Sequence, residues 1–347
     1  MLKKSLLVLS SLFSLSISSF SHANVWQLPA GNQQNQTWLS LGNAIGPTYS
    51  LQFDSAGHLF AGTQGTLYEL NAQSQWVAKG SGLPNGDIDN IQFDSQGDIF
   101  VGFSNTAGGV YELPNRNDQS QWEPIGGGIG TLSPDGLIID KKGNLYVANS
   151  LNGVAELSSP YISNWQPWGT GLSAQLNRVY SLQFDTQGNL YVSGFPVSQT
   201  PATAVTIAKL PVGFTSSTAW IAQPVNPNNN AWQMTDIKID SKGDIFAIGY
   251  AGAYELPVGT KYWQGLSNNG GESMNGANYL QLDNQGNIYA GMNLSAYPWA
   301  CPVVKYTPLN GAAWLCMGNF SNQAPAPTQF ANDLQFDTQG NLYLSGY

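Results

Sequence analysis

Charge is scarce in this chain. Only 10% of its 347 residues are Asp, Glu, Lys or Arg, against about 25% in an average soluble domain. Basic residues are the rarer sign: 12 Lys and Arg face 21 Asp and Glu, a net charge of −9. A nucleic-acid surface needs clustered Lys and Arg, so that class of partner is excluded. Histidine is limited to His22 and His58, and cysteine to Cys301 and Cys316. Beyond Phe20 no apolar run approaches the roughly 20 residues of a spanning helix, so no membrane span is expected.

The N-terminus has a separate character. Met1-Leu2-Lys3-Lys4 is a basic head, Ser5 to Phe20 is apolar and serine-rich, and Ser21-His22-Ala23 is a small-x-small site. This is the pattern of a secretory signal over residues 1–23. The other reading is a membrane anchor, but the apolar stretch is short for one. No cysteine near the cut suggests a lipid anchor. Cleavage leaves a domain over 24–347 with ten basic residues against 21 acidic, a net charge of −11, and His58 as its one histidine. A Ser-His-Asp or Cys-His nucleophile and a His-ligated zinc then have little to build on. Export to the periplasm or the medium implies an oxidising compartment, where Cys301 and Cys316 are expected to pair. Two buried free thiols are the alternative.

Self-similarity dominates the rest. Segments such as LQFDSAGHLF from Leu51, IQFDSQGDIF from Ile91, LIIDKKGNLY from Leu137 and LQFDTQGNLY from Leu182 share Asp-x-x-Gly between two β-rich runs. The repeated Asp falls at Asp54, Asp94, Asp140, Asp185, Asp240, Asp283 and Asp337, at intervals of 40 to 55 residues. Each copy reads as a β-hairpin whose Gly suits positive φ and whose Asp accepts bonds from loop amides. A third strand follows, as in GVYELP from Gly109, and a fourth near Trp76, Trp122, Trp165, Trp220, Trp263 or Trp314. Four antiparallel strands per repeat make a propeller blade. The seventh copy ends at Tyr347 after two strands, while Val25-Trp26-Gln27-Leu28-Pro29 matches the third-strand pattern and Thr37-Trp38-Leu39 the fourth. The expected fold is an all-β, seven-bladed β-propeller of four-stranded blades, its ring closed by N-terminal strands that complete the last blade.

These repeats resemble the broad group of propellers with a D-x-x-G-N-hydrophobic-Tyr hairpin: NHL-repeat proteins, two-component-regulator propellers and the gluconolactonase-like group. The resemblance covers essentially all of 24–347 and implies fold more than function, since such propellers host enzymes, lectins and protein-binding modules. Gluconolactonase-like propellers hold a divalent cation at one mouth of the channel with oxygen ligands. The candidates for that place are Asp236 and Asp333, four residues before their repeat Asp, and Asp89 and Asp135, five before. The expected Glu is absent, and solvated loop residues are the other reading. Streptogramin-lyase-type propellers rely on histidine, which this chain does not supply where it would be needed.

The remaining repeated residues have structural readings. The seven Asp and His58 fit turn positions. The Trp residues suit packing between blades as well as sugar stacking. Gln52, Gln92, Gln183, Gln281 and Gln335, interrupted by Ile138 and Lys238, line up on the innermost strand two residues before each Asp. The longest intervals place extra residues on the face opposite the Asp-x-x-Gly turns. Phe195, Trp232, Tyr297, Trp299 and Phe320 lie in or near those loops and are the candidate ligand-binding residues. The leading function is an exported, non-enzymatic scaffold binding a protein or a glycan, monomeric and without a cofactor. The alternative is a hydrolase or lactonase with a channel-mouth cation.

Overall fold

The computed structural model describes residues 25–31, 36–103, 109–114, 120–127, 134–149, 153–198, 200, 203–225, 233–249, 252–266, 276–292, 301–307, 313–318 and 331–346. They form seven four-stranded antiparallel sheets arranged as a ring. Six blades follow the chain from the axis outward. Blade 1 spans Ser50–Phe53, Leu59–Gly62, Leu67–Leu70 and Trp76–Ala78, from inner to outer strand. The inner strands of blades 2 to 6 are Ile88–Phe93, Pro134–Ile139, Leu176–Phe184, Met234–Ile239 and Ala277–Leu282.

Blade 7 is composite. Its inner strands are Ala331–Phe336 and Leu342–Gly346, and its outer two are Val25–Leu28 and Leu39–Ser40 from the N-terminus. Val25 to Leu28 pair antiparallel with Ser345 to Leu342. The N-terminal strands close the ring, as the repeat arithmetic requires.

The seven Asp-x-x-Gly turns are alike. In each, the Asp Oδ1 accepts from the backbone N–H two and four residues on, at 2.8 to 3.0 Å. The turn glycines have φ between +79° and +95°, a region that L side chains resist. Asn144, Asn189, Asn287 and Asn341 each donate Nδ2 to the other carboxylate oxygen. In blade 1 the His58 Nδ1 takes that place, 2.8 Å from Asp54 Oδ2. The turns are therefore structural, and His58 is part of one.

Buried side chains gather between blades, not within them. Trp26, Leu28 and Trp38 of blade 7, for example, share a cluster with Tyr289 and Val303 of blade 6. Outer strands are tied by a repeated bond: each outer-strand Trp donates its indole N–H to a carbonyl at the end of the preceding blade's outer strand. The pairs are Trp76–Leu41, Trp122–Lys79, Trp165–Ile125, Trp220–Trp168, Trp263–Pro224, Trp314–Leu266 and Trp38–Met317, at 2.7 to 3.3 Å. In five of these the accepting residue precedes a glycine at φ +65° to +75°: Gly42, Gly80, Gly126, Gly169 and Gly318. A Cβ on Gly42 would lie 2.6 Å from the Trp76 ring, and one on Gly318 would meet Trp38 Nε1.

The disulfide forms between Cys301 and Cys316, with Cα atoms 5.5 Å apart. Val304 pairs with Cys316 in the hairpin, so the two cysteines flank the same end of blade 6.

Two stability outcomes follow. Trp38→Phe leaves the Met317 carbonyl without its donor and should cost about 1–3 kcal/mol, while Trp38→Ala should cost about 3–5 kcal/mol. Gly318→Ala should destabilise through both the positive φ and the clash with Trp38. Thermal unfolding checks all three, and wild-type melting of Trp38→Ala would contradict the closure of the ring through Trp38. Replacing both cysteines by serine opens a loop of 15 residues and should cost roughly 3 kcal/mol; unchanged melting of that variant, and of reduced wild type, would contradict a stabilising bridge.

Candidate functional site

The inner strands enclose an axial cavity of about 670 Å³. Its lining is built by a register irregularity that repeats around the ring. In blades 2 to 7 the pairing of the first two strands skips one residue, five before the repeat Asp. The skipped residues are Asp89, Asp135, Tyr180, Thr235, Asn278 and Asn332, and all six line the cavity. A bulge re-aims a side chain that a regular strand would place on the blade surface. Here it makes a polar rim at the mouth opposite the Asp-x-x-Gly turns.

One residue further along, side chains stitch each blade to the next. Asp333 Oδ2 accepts the Leu51 N–H of blade 1 at 2.9 Å, Asn90 Oδ1 that of Leu137 in blade 3 at 3.1 Å, and Asp236 Oδ2 that of Leu280 in blade 6 at 2.9 Å. Ser50 Oγ donates to the Ile88 carbonyl at 2.6 Å and Ser181 Oγ to Asp236 Oδ1 at 2.8 Å. Asp236 also lies 3.3 Å from Lys238 Nζ.

Deeper in the channel, the residues two before each repeat Asp form a ring, all of them lining the cavity: Gln52, Gln92, Ile138, Gln183, Lys238, Gln281 and Gln335. Gln52 and Gln183 donate Nε2 to the carbonyls of Phe53 and Phe184. Gln281 donates to Gln335 Oε1 at 3.4 Å.

The four carboxylates singled out in the sequence thus share one mouth but have different surroundings. Asp236 and Asp333 are seam residues. Asp135 pairs with Arg178 through two bonds, to Nε at 3.0 Å and Nη2 at 2.9 Å. Asp89 lies on the rim. Among the described residues no group of three or more His, Cys, Asp and Glu side chains is arranged to hold a metal ion. Burial pushes the Asp333 carboxyl up to about 6, against the opposing pull of the Leu51 N–H, Lys238, the Leu334 N–H and Gln335.

Of the candidate aromatics, Phe195 is half-buried at the end of blade 4's second strand, paired with Arg178 on the inner strand. Arg178 stacks 4.8 Å over the Tyr180 ring, and the Tyr180 hydroxyl donates to Gln233 Oε1. Trp232, Tyr297, Trp299 and Phe320 lie outside the described residues. Sequence reasoning missed the Arg178–Asp135 pair and the bulges. The signal it could have used is the column of short polar residues four before the Asp: Ser50, Asn90, Ser181, Asp236 and Asp333.

No protein-family model matches the sequence, and no curated protein matches it. Solved structures do match. Virginiamycin B lyase from Staphylococcus aureus superposes with a TM-score of 0.66 at 9% identity, covering 89% of this chain and 98% of that one. The extracellular domain of the hybrid two-component system BT4673 from B. thetaiotaomicron gives 0.64 at 14%, covering 94% of this chain and 39% of that one. YCF48 bound to D1 peptide gives 0.60 at 11%, covering 93% and 97%. This chain is a β-propeller, as they are. At such identities the likeness establishes fold and leaves function to the residues.

The Asp333 seam gives a pH signature. Its carboxyl binds a proton more tightly folded than unfolded, so its contribution favours the folded state below about pH 4 and is lost as pH rises to about 6. Asp333→Asn keeps an oxygen for the Leu51 N–H and removes the titration, but it sets an amide NH2 against the Leu334 N–H that Oδ1 accepts at 2.7 Å, a cost that does not vary with pH. Melting temperature from pH 4 to 8 should therefore fall less steeply in the variant, on top of a constant loss. Glu112, pushed up to about 7 mainly by burial, has a slope of the same sign, common to both proteins and absent from their difference. A variant whose melting falls as steeply as wild type between pH 4 and 8 would contradict this account.

Proposed function

We propose that this chain is an exported, non-enzymatic binding scaffold that receives a protein or glycan ligand over the channel mouth of blades 4 to 6. The observation that carries the reading is the rim itself: bulges turn six side chains into an axial cavity of about 670 Å³, a polar surface that ring packing alone does not require. Beside it, Arg178 lies over the Tyr180 ring and Phe195 stands opposite Arg178 on the next strand, and Arg and Tyr are residue types enriched at binding hot spots. His58 is held by Asp54 in a turn of the opposite face, which leaves the rim without a histidine base among its lining residues. Among the structural neighbours, the BT4673 domain is extracellular and YCF48 is bound to a peptide; both precedents suit a scaffold. The disulfide suits an oxidising location.

A ligand identified on glycan and peptide arrays tests the placement. Phe195→Ala and Arg178→Ala should each weaken it about tenfold or more with little change in melting, and Trp232→Ala and Trp299→Ala extend the test to the loop aromatics. Among the described residues, the opposite face carries the most exposed large apolar side chains, Ile162 at 89% and Tyr262 at 82%. A ligand indifferent to the rim variants but lost with Ile162→Ser or Tyr262→Ser would overturn the proposed face. One divalent cation per chain in purified protein, with ester or lactone hydrolysis that depends on it, would favour the hydrolase instead.

A further inference from the structure

Two properties coincide on the face of the Asp-x-x-Gly turns. The four most exposed large apolar side chains among the described residues are Ile162, Tyr262, Val212 and Val258, at 89, 82, 62 and 61%. All four lie between the third and fourth strands of blades 3, 4 and 5. Those connections stand beside the Asp-x-x-Gly turns, because Leu157, Leu210 and Leu256, at the ends of the third strands, pair with Leu145, Leu190 and Ile245, which follow the turns. Side chains brace one set of turns on the other. Asn189 Oδ1 accepts the Val212 N–H and Asp244 Oδ1 the Val258 N–H, both at 2.7 Å, and Asn144 Oδ1 accepts the Ser159 N–H at 3.3 Å. In blade 3 the Tyr161 ring turns inward onto Phe100, its hydroxyl donating to the Gly143 carbonyl at 2.7 Å, while the adjacent Ile162 turns out.

Charge is sorted in the same sector. Across residues 140–144, 158–164, 185–189, 211–219, 240–244 and 257–262, every exposed charged side chain is a lysine: Lys141, Lys142, Lys242 and Lys261. None of the four makes an ion pair among the described residues. The carboxylates there, Asp140, Asp185, Asp240 and Asp244, are half-buried and accept backbone N–H groups of the turns. The hairpin itself does not ask for lysine: the same two positions are Ser55-Ala56, Ser95-Gln96, Thr186-Gln187, Asn284-Gln285 and Thr338-Gln339 in the other blades.

We propose that this face of blades 3 to 5 docks on an anionic lipid surface. Ile162 and Tyr262 enter the boundary between headgroups and acyl chains, and the lysines meet lipid phosphates. The apolar side chains stand singly on turn tips, separated by exposed Ser163, Thr215, Ser216 and Thr260. A protein partner would need a pocket matched to each tip, whereas a fluid interface receives each one separately. Tyr262 has the apolar ring and polar end that suit such an interface. The net charge of −9 opposes adhesion of the chain at large, so the sorting matters: lysines stand at the contact, and salt screens the more distant repulsion. This goes beyond the scaffold reading, whose rim lies at the opposite mouth.

Co-sedimentation of the purified protein with vesicles tests it, using phosphatidylcholine alone and an equal mixture with phosphatidylglycerol, in about 0.1 M salt. Binding to the mixed vesicles should be about tenfold tighter or more than to phosphatidylcholine. Ile162→Ser and Tyr262→Ser should each weaken it by about tenfold, and Lys142→Gln and Lys242→Gln each by about threefold to fivefold. Melting should be unchanged in all four variants, since these side chains are exposed. No association with mixed vesicles, equal association with both compositions, or wild-type affinity in the Ile162→Ser/Tyr262→Ser double variant overturns the inference. A dimer in sedimentation velocity that Tyr262→Ser abolishes, or capture of polyglutamate that Lys142→Gln abolishes, without vesicle binding, assigns the face to a second copy or an acidic protein and overturns the lipid.

Discussion

The ring depends on a single bond made seven times: a tryptophan indole N–H reaching the carbonyl that ends the neighbouring blade's outer strand. A propeller has no central core, so each blade is stable only against its neighbours. Apolar burial presses blades together but fixes neither their tilt nor their spacing. The indole does both, because its ring fills the wedge between outer strands while its one donor demands a particular acceptor. Trp38 and Trp314, the two largest side chains with almost no exposure, sit on successive blades beside the closure. Five of the accepting carbonyls are followed by glycine, because the indole lies where a Cβ would be.

The same demand operates at the axis with smaller groups. Between inner strands, Ser50, Asn90, Ser181, Asp236 and Asp333 bridge adjacent blades with side-chain oxygens. In blades 2, 4, 5 and 7 the bridging residue follows a bulge, while Ser50 bridges from a regular strand. The bulge in turn delivers a side chain to the mouth. The bulge therefore fixes where rim residues stand but not what they are. Asp89, Asp135, Tyr180, Thr235, Asn278 and Asn332 share a backbone position and polarity but differ in charge and size, as expected where packing sets geometry and leaves residue type open.

This separation explains what could be read in the sequence. The seven turns were legible because Asp, Gly and their spacing are local requirements of a hairpin. Closure was legible because Val25 to Leu28 resembles the third strands. The cysteines were legible because they flank one hairpin. The role of Asp236 and Asp333 was not, because their partners, Leu280 and Leu51, belong to other blades, and in Leu51's case to the far end of the chain. The bulges were hidden too: a skipped residue leaves no mark in composition, and period-two alternation read through it assigns side chains to the wrong side. Arg178 was overlooked for the same reason, since only the double irregularity of blade 4's inner strand brings it beside Asp135.

Low charge gives the remaining charges more meaning. In a chain with 12 basic residues, two of them, Arg178 and Lys238, stand on consecutive blades at one side of the channel, each on a carboxylate. Seam bonding does not ask for them: Asn90 performs the bridging of Asp236 and Asp333 without any charge to balance. Asp in place of Asn adds a second acceptor at those positions, taken by the Leu334 and Ile237 N–H groups, at a desolvation cost visible in the raised Asp333 carboxyl. At Asp236 the cost is offset by Lys238. At Asp333 no cation of the protein makes direct contact among the described residues; two backbone N–H groups hold its oxygens instead, so the channel keeps a charge asymmetry across its width.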